Sequence, residues 1–132
     1  MKYVKTIFSG LFAVLLMVSC VKKTESYLED GMWKRVDLRG ENPPIEVWEF
    51  NSGTLTIHLL DTLNSTLTFK DKGSYKVQLD GTTMTFETTG FISDGAHDMR
   101  YNSTYKIYRK KKDILGFMDT RGWFYEFNRY KK

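Results

Sequence analysis

The stretch Tyr75-Lys76-Val77-Gln78-Leu79-Asp80-Gly81-Thr82-Thr83-Met84-Thr85-Phe86-Glu87 decides the fold class. Asp80-Gly81 suits the two left-handed positions of a tight type I′ turn, because aspartate tolerates positive φ and glycine has no Cβ to clash. Pairing Leu79 with Thr82 across that turn sets Val77 opposite Met84 and Tyr75 opposite Phe86. The apolar side chains of both strands then share one face, while Lys76, Gln78, Thr83, Thr85 and Glu87 share the other. Turn chemistry and period-two alternation therefore agree on an antiparallel hairpin with one buried and one wet face.

The same grammar extends in both directions. From Trp33 onward the chain alternates short β-prone segments with Gly, Asn and Asp punctuation, without a sustained 3.6-residue period. Strands are expected at 33–38, 46–50, 54–60, 65–70, 74–79, 82–88, 101–108, 114–118 and 123–130. Between them stand turns such as Asn42-Pro43-Pro44, Asn51-Ser52-Gly53, Asp71-Lys72-Gly73 and Thr120-Arg121-Gly122. This predicts an all-β chain whose eight or nine antiparallel strands form a meander and close into a barrel, with a β-sandwich as the alternative. The final hairpin is less regular. Trp123, Tyr125 and Phe127 share a face but Phe124 lies on the other, and Ile114, Leu115, Phe117 and Met118 offer apolar groups to both sides. Its outer face is either covered within the fold or is a contact patch for a protein partner.

The N-terminus obeys different rules. Lys2 and Lys5 precede an apolar run from Ile7 to Met17, shorter than the ~18–20 residues that span a bilayer. Leu16-Met17-Val18-Ser19-Cys20 follows, with an apolar residue three places before the cysteine and a small one just before it. This resembles the lipobox of bacterial lipoproteins. The resemblance implies a signal peptide over 1–19, a diacylglycerol thioether and an acylated amine at Cys20, a lipidated tether over 20–26 and a folded domain over 27–132. Residues 21–26 are polar and aperiodic, which suits a tether. They lack the acidic cluster associated with surface export in Bacteroides-type lipoproteins, and no aspartate follows Cys20. The expected location is the outer membrane, facing the periplasm.

Composition narrows the remaining choices. Losing 19 of 132 residues leaves 113, enough for one domain and one core. The formal charge of +4 falls by two to +2 once Lys2 and Lys5 leave. That balance, without a clustered nucleic-acid module, excludes a nucleic-acid partner. The single cysteine is Cys20, so no disulfide supports the fold and stability rests on a core for which aromatics supply 15% of residues.

Gly31-Met32-Trp33 opens the first expected strand and Arg129 lies near the end of the last. The pair resembles lipocalins and the small lipocalin-like lipoproteins of Bacteroides-type bacteria, in which a Gly-x-Trp plugs the closed end beneath a cationic side chain. The resemblance implies barrel closure by Gly31, Trp33 and Arg129. The chain departs from typical lipocalins in ending directly after its last strand, without a C-terminal helix. Inward positions supply candidate ligand-lining side chains at Trp48, Phe50, Tyr75, Phe86, Tyr105, Trp123, Tyr125 and Phe127, which serve equally well as core filling.

Chemistry-bearing motifs are few. Asp94, His97 and Asp98 share a loop, but their spacing matches no metal motif, and His58 stands on the polar face of its strand. There is no Gly-x-Ser-x-Gly, no phosphate-cradling glycine loop and no second cysteine. No metal, cofactor or enzymatic activity is expected. Arg109-Lys110-Lys111-Lys112 reads as a solvated turn or a contact for anionic head groups. Asp61-Thr62-Leu63 resembles the short O-glycosylation acceptor of Bacteroides-type bacteria. The expected function is a lipid-anchored barrel that binds a small apolar ligand. The alternative is a structural or interaction module whose barrel is filled.

Overall fold

The computed structural model describes residues 2–36, 45–93, 95–96 and 99–130. Asn42-Pro43-Pro44 and the loop residues Asp94, His97 and Asp98 lie outside them. Among the described residues one helix, α1 (Lys2–Glu29), precedes ten strands: β1 (Met32–Arg35), β2 (Ile45–Asn51), β3 (Thr54–Asp61), β4 (Thr66–Asp80), β5 (Thr83–Thr89), β6 (Gly95–Ala96), β7 (Met99–Arg100), β8 (Thr104–Lys110), β9 (Ile114–Met118) and β10 (Phe124–Tyr130). Eight of them close a ring in the order β1-β10-β9-β8-β5-β4-β3-β2, with β1 pairing back to β2, while β6 and β7 form a separate pair. Every pairing in the ring is antiparallel. The all-β antiparallel expectation holds, and the sheet closes on itself instead of splitting into a sandwich.

The hairpin at Asp80-Gly81 forms with its faces as expected, but its register is displaced by two residues. Asp80 pairs with Thr83 and Val77 with Phe86. Gly81 is the first loop residue, at φ 62°, and Thr82 is the second, without positive φ. That is the type II′ pattern, which needs glycine only at the first position. A shift of two preserves side-chain parity, so Tyr75, Val77 and Phe86 still face the core.

Two expected strands are one. Asp71-Lys72-Gly73 does not reverse the chain; β4 runs through it, pairing with β3 up to Ser74 and with β5 from Ser74 onward. Ile57 pairs with Asp71 while His58 pairs with Phe69, so Lys70 is an extra, bulged residue. A bulge bends and twists a strand without ending it, which lets one long strand turn the corner of the ring. Gly73 makes the bend compact: a Cβ there would lie 2.5 Å from the Phe91 ring and 2.5 Å from the Thr89 carbonyl oxygen.

The expected tether is also corrected. Residues 21–26 continue α1, with Thr24 and Leu28 buried and Val21 and Tyr27 packed on the core. Positions 21, 24, 25 and 28 follow the i, i+3, i+4, i+7 rule of one helix face. A threonine and a glutamate within that stripe disguise it as aperiodic.

Gly73→Ala tests the corner. The new methyl would meet backbone as well as a ring, so it should cost about 1–3 kcal/mol and lower the denaturant midpoint at constant slope. An unchanged midpoint would show that Phe91 does not pack over Gly73.

Candidate functional site

Successive strand residues point to opposite faces, and the inward positions of this ring carry aromatics. Trp48 stands at the centre, its ring centroid 5.0 Å from that of Phe127, 5.6 Å from Phe117 and 6.3 Å from each of Phe50, Tyr101 and Tyr105. Phe86 lies 5.0 Å from Tyr105, 5.1 Å from Phe117 and 5.7 Å from Phe50. Tyr75 meets Phe50 edge-on at 5.0 Å, and Phe117 stacks on Phe127 at 5.2 Å. These are the separations of rings in contact, so the side chains occupy one another's space.

Seven of the eight candidate lining residues, Trp48, Phe50, Tyr75, Phe86, Tyr105, Tyr125 and Phe127, are brought together in this buried cluster. Trp123 is not among them. It lies in the turn before β10, 49% exposed, with the Arg121 guanidinium 5.3 Å from its ring centroid. Counting back from Phe127 and Tyr125 would turn it inward, but β10 begins only at Phe124, and the inward polar position of this turn is taken by Asp119. Phe117, Tyr101 and Leu115 also belong to the core although they were not among the candidate lining side chains. Phe117 was hidden because its strand is apolar on both faces.

At one end the ring is plugged by α1. Gly31, at φ 93°, ends the helix, and its N–H donates to the Glu29 carbonyl at 3.0 Å, the left-handed position that glycine occupies without strain. Trp33 Nε1 donates to the Leu28 carbonyl at 2.9 Å, satisfying one of the carbonyls a helix end leaves open. The Arg129 guanidinium carbon lies 4.4 Å from the Trp33 ring centroid and 5.7 Å from that of Tyr27. Arg129 Nε and Nη2 donate to the Lys112 carbonyl at 3.0 and 2.7 Å. Its Nη1 has no hydrogen bond and stands 3.6 Å from an Asp30 carboxylate oxygen. The Tyr27 hydroxyl reaches the Lys111 and Ile114 carbonyls at 2.5 and 2.6 Å, and burial pushes its pKa up to about 12. Glu29 Oε1 accepts from Tyr75 at 2.5 Å and from the Ser52 N–H at 2.9 Å. Gly31, Trp33 and Arg129 thus meet at one closed end.

The opposite end holds three buried carboxylates, each partnered. Glu46 accepts from the Tyr101 hydroxyl at 2.5 Å and pairs with Arg35 at 3.2 Å, while Lys70 Nζ donates to the same hydroxyl at 2.7 Å. The bulge therefore aims Lys70 at this cluster. Asp71 accepts from the Ser93 and Lys72 N–H groups, both at 2.8 Å. Asp119 accepts from Arg121 Nη2 at 2.7 Å, the Tyr125 hydroxyl at 2.9 Å and the Arg121 and Trp123 N–H groups at 2.9 and 3.2 Å. Burial alone would raise its pKa, but these hydrogen bonds together hold it below the usual aspartate value. Burial and hydrogen bonding to Asp119 push Tyr125 up to about 12. Among the described residues no three potential metal ligands gather, and His58 faces Glu49 across β2 and β3 at 3.1 Å. Each of these carboxylates accepts from its own set of donors.

Cys20 is exposed on α1. No protein-family model, curated protein or solved structure matches the chain.

Truncating Trp33 to alanine should cost ~3–5 kcal/mol, and Arg129→Ala should cost less. Because the two share one contact, the double variant should lose less than the sum of the single losses, by about 0.5–2 kcal/mol; strict additivity in denaturation would exclude the stack. Asp119→Asn should cost about 1.5–3 kcal/mol at neutral pH. Its folded pKa is depressed, so the carboxylate's contribution is complete above the unfolded value of ~3.9 and is lost as pH falls through the folded value. The stability gap between wild type and variant should therefore narrow below about pH 4.

Proposed function

We propose that this chain is an envelope lipoprotein, acylated at Cys20, whose barrel serves as a non-enzymatic interaction module. The observation that carries the module reading is the packing around Trp48. An eight-stranded ring holds a ligand only where its side chains leave room, and here the inward rings touch one another. This favours the filled-barrel reading over the binding of a small apolar ligand.

The anchor is supported by the lipobox and by a change of environment along α1. Leu11, Val14, Leu15, Leu16, Met17 and Val18 are between 47% and 59% exposed, whereas burial begins at Val21 and Thr24. Among the described residues no helix is long and apolar enough to cross a membrane. Cleavage before Cys20 would remove the exposed apolar turns and keep the turns that lock the closed end. Acyl chains at Cys20 then supply the attachment, each buried CH2 contributing ~0.8 kcal/mol. The outer membrane, periplasmic side, remains the expected site. The surface best suited to a protein partner is the outside of the final hairpin. There Phe124, 66% exposed, meets Tyr108 edge-on at 5.0 Å. Tyr108 lies across Gly116, where a Cβ would come within 2.7 Å of its ring.

One preparation tests both halves. Protein extracted from the membranes of a Gram-negative host should lack residues 1–19 and carry acyl mass at its N-terminus, and Cys20→Ala should retain the leader. Native mass spectrometry of the same sample should show no stoichiometric small molecule. A full-length unacylated chain would overturn the anchor, and a bound apolar molecule in one-to-one ratio would overturn the filled module.

A further inference from the structure

We infer that the plugged end of the ring is an electrostatic docking face for an anionic bilayer surface, which sets the orientation of the domain on the membrane. The inference rests on acylation at Cys20 and adds a second contact to it. Two basic segments distant in sequence meet at this end. Lys22 and Lys23 follow Cys20 on α1, and Lys110-Lys111-Lys112 form the end of β8 and its turn into β9. The turn is tied to the helix: the Tyr27 hydroxyl bonds to the Lys111 carbonyl, Lys110 Nζ lies 3.3 Å from Thr24 Oγ1, and the Lys112 carbonyl accepts from Arg129. All five lysines are exposed.

The acids nearby, Glu25, Glu29, Asp30 and Asp113, offset four of the six positive charges of the five lysines and Arg129 and leave an excess of two. Asp30 and Asp113 lie 3.6 and 3.4 Å from Arg129, and Glu29 accepts from Tyr75 and the Ser52 N–H. Among the described residues Lys22, Lys23, Lys111 and Lys112 have no carboxylate within ion-pair distance. A bilayer is the occupant because the acylated residue sits on the same end. At 1.5 Å per helical residue, Lys23 lies about 4.5 Å along the axis from Cys20. The Debye length at physiological salt is ~8 Å. The lysines therefore lie within reach of the surface potential, where each contributes a factor of roughly five in surface association. The cluster of Glu46, Asp71 and Asp119 is then directed away from the membrane.

The test uses the acylated protein as extracted, beginning at Cys20, in vesicles of phosphatidylethanolamine, with and without phosphatidylglycerol, labelled briefly with an amine-reactive reagent and mapped by mass spectrometry. Lys22, Lys23, Lys111 and Lys112 should label at least about twofold less on the anionic vesicles. Lys72 and Lys106 on the ring wall should label equally on both, and high salt should remove the contrast. Joint Lys111→Gln and Lys112→Gln substitution should weaken the protection of Lys22 and Lys23. Equal labelling on both vesicle types, or protection of Lys72 and Lys106 instead, would overturn the docking face while leaving the anchor intact. Intact mass measured first separates the two ideas: an unacylated Cys20 would overturn the anchor and this inference together.

Discussion

Closure of the ring depends on its shortest strand. β1 has four residues, yet it must pair with β10 on one side and β2 on the other. So short a ladder contributes few hydrogen bonds, each of modest net worth at ~0.5–1.5 kcal/mol. Trp33 compensates. It is opposite Arg129 in one ladder and opposite Trp48 in the other, so one buried side chain joins the seam of the ring to its aromatic centre. The guanidinium above it is fastened in turn to the β8–β9 turn through Lys112. First strand, last strand, helix and penultimate turn are thereby coupled at a single point.

Much of this was legible because local rules and the global fold agree. Alternation placed Tyr75, Val77, Phe86, Trp48, Phe50, Tyr125 and Phe127 inside, and parity protected that reading even where the hairpin register slid by two residues. The Trp33 and Arg129 pairing was legible only through resemblance, since nothing local to either residue brings chain ends together. What was missed has physical reasons. Asp71-Lys72-Gly73 has the composition of a turn, but its glycine serves close packing beneath Phe91 and its aspartate caps the Ser93 N–H. Thr24 reads as a tether residue because it is polar, yet its hydroxyl is spent on the Cys20 carbonyl within the helix at 3.0 Å, leaving its methyl for the core. Glu46 could have been found: it has the parity of Trp48 and Phe50, and an inward carboxylate requires a partner.

The two ends of the ring resolve the same problem in opposite ways. A barrel end exposes apolar interior to water unless something covers it. At one end a helix supplies Leu28 and Tyr27 as a lid. At the other, buried carboxylates meet Arg35, Arg121 and two tyrosine hydroxyls, one of which also accepts from Lys70. Removing either partner of such a pair leaves an uncompensated buried group, whereas the intact pair adds little net stability. The polar end therefore depends on every member of these pairs being present. It fixes how the Asp119–Trp123 turn and the β4 bulge sit over the aromatic centre.

That asymmetry bears on what the N-terminal helix is for. A flexible tether would leave the domain free to tumble above the membrane, and neither end of the ring would have a defined relation to the bilayer. Were the chain acylated at Cys20 as proposed, helical continuity into Thr24, Tyr27 and Leu28 would remove that freedom, because the anchored residue would lie within three turns of side chains packed in the core. Pulling on the anchor would then load the plug itself, through the Trp33 and Tyr27 contacts. The lysine turn at 110–112 stands on the same face as this plug, and the exposed aromatic pair Tyr108 and Phe124 lies on the ring wall above it. Held this way, the wall and the polar end are what the domain can present to another molecule. A filled interior is compatible with the proposed module, whose working surface would be the outside of the ring.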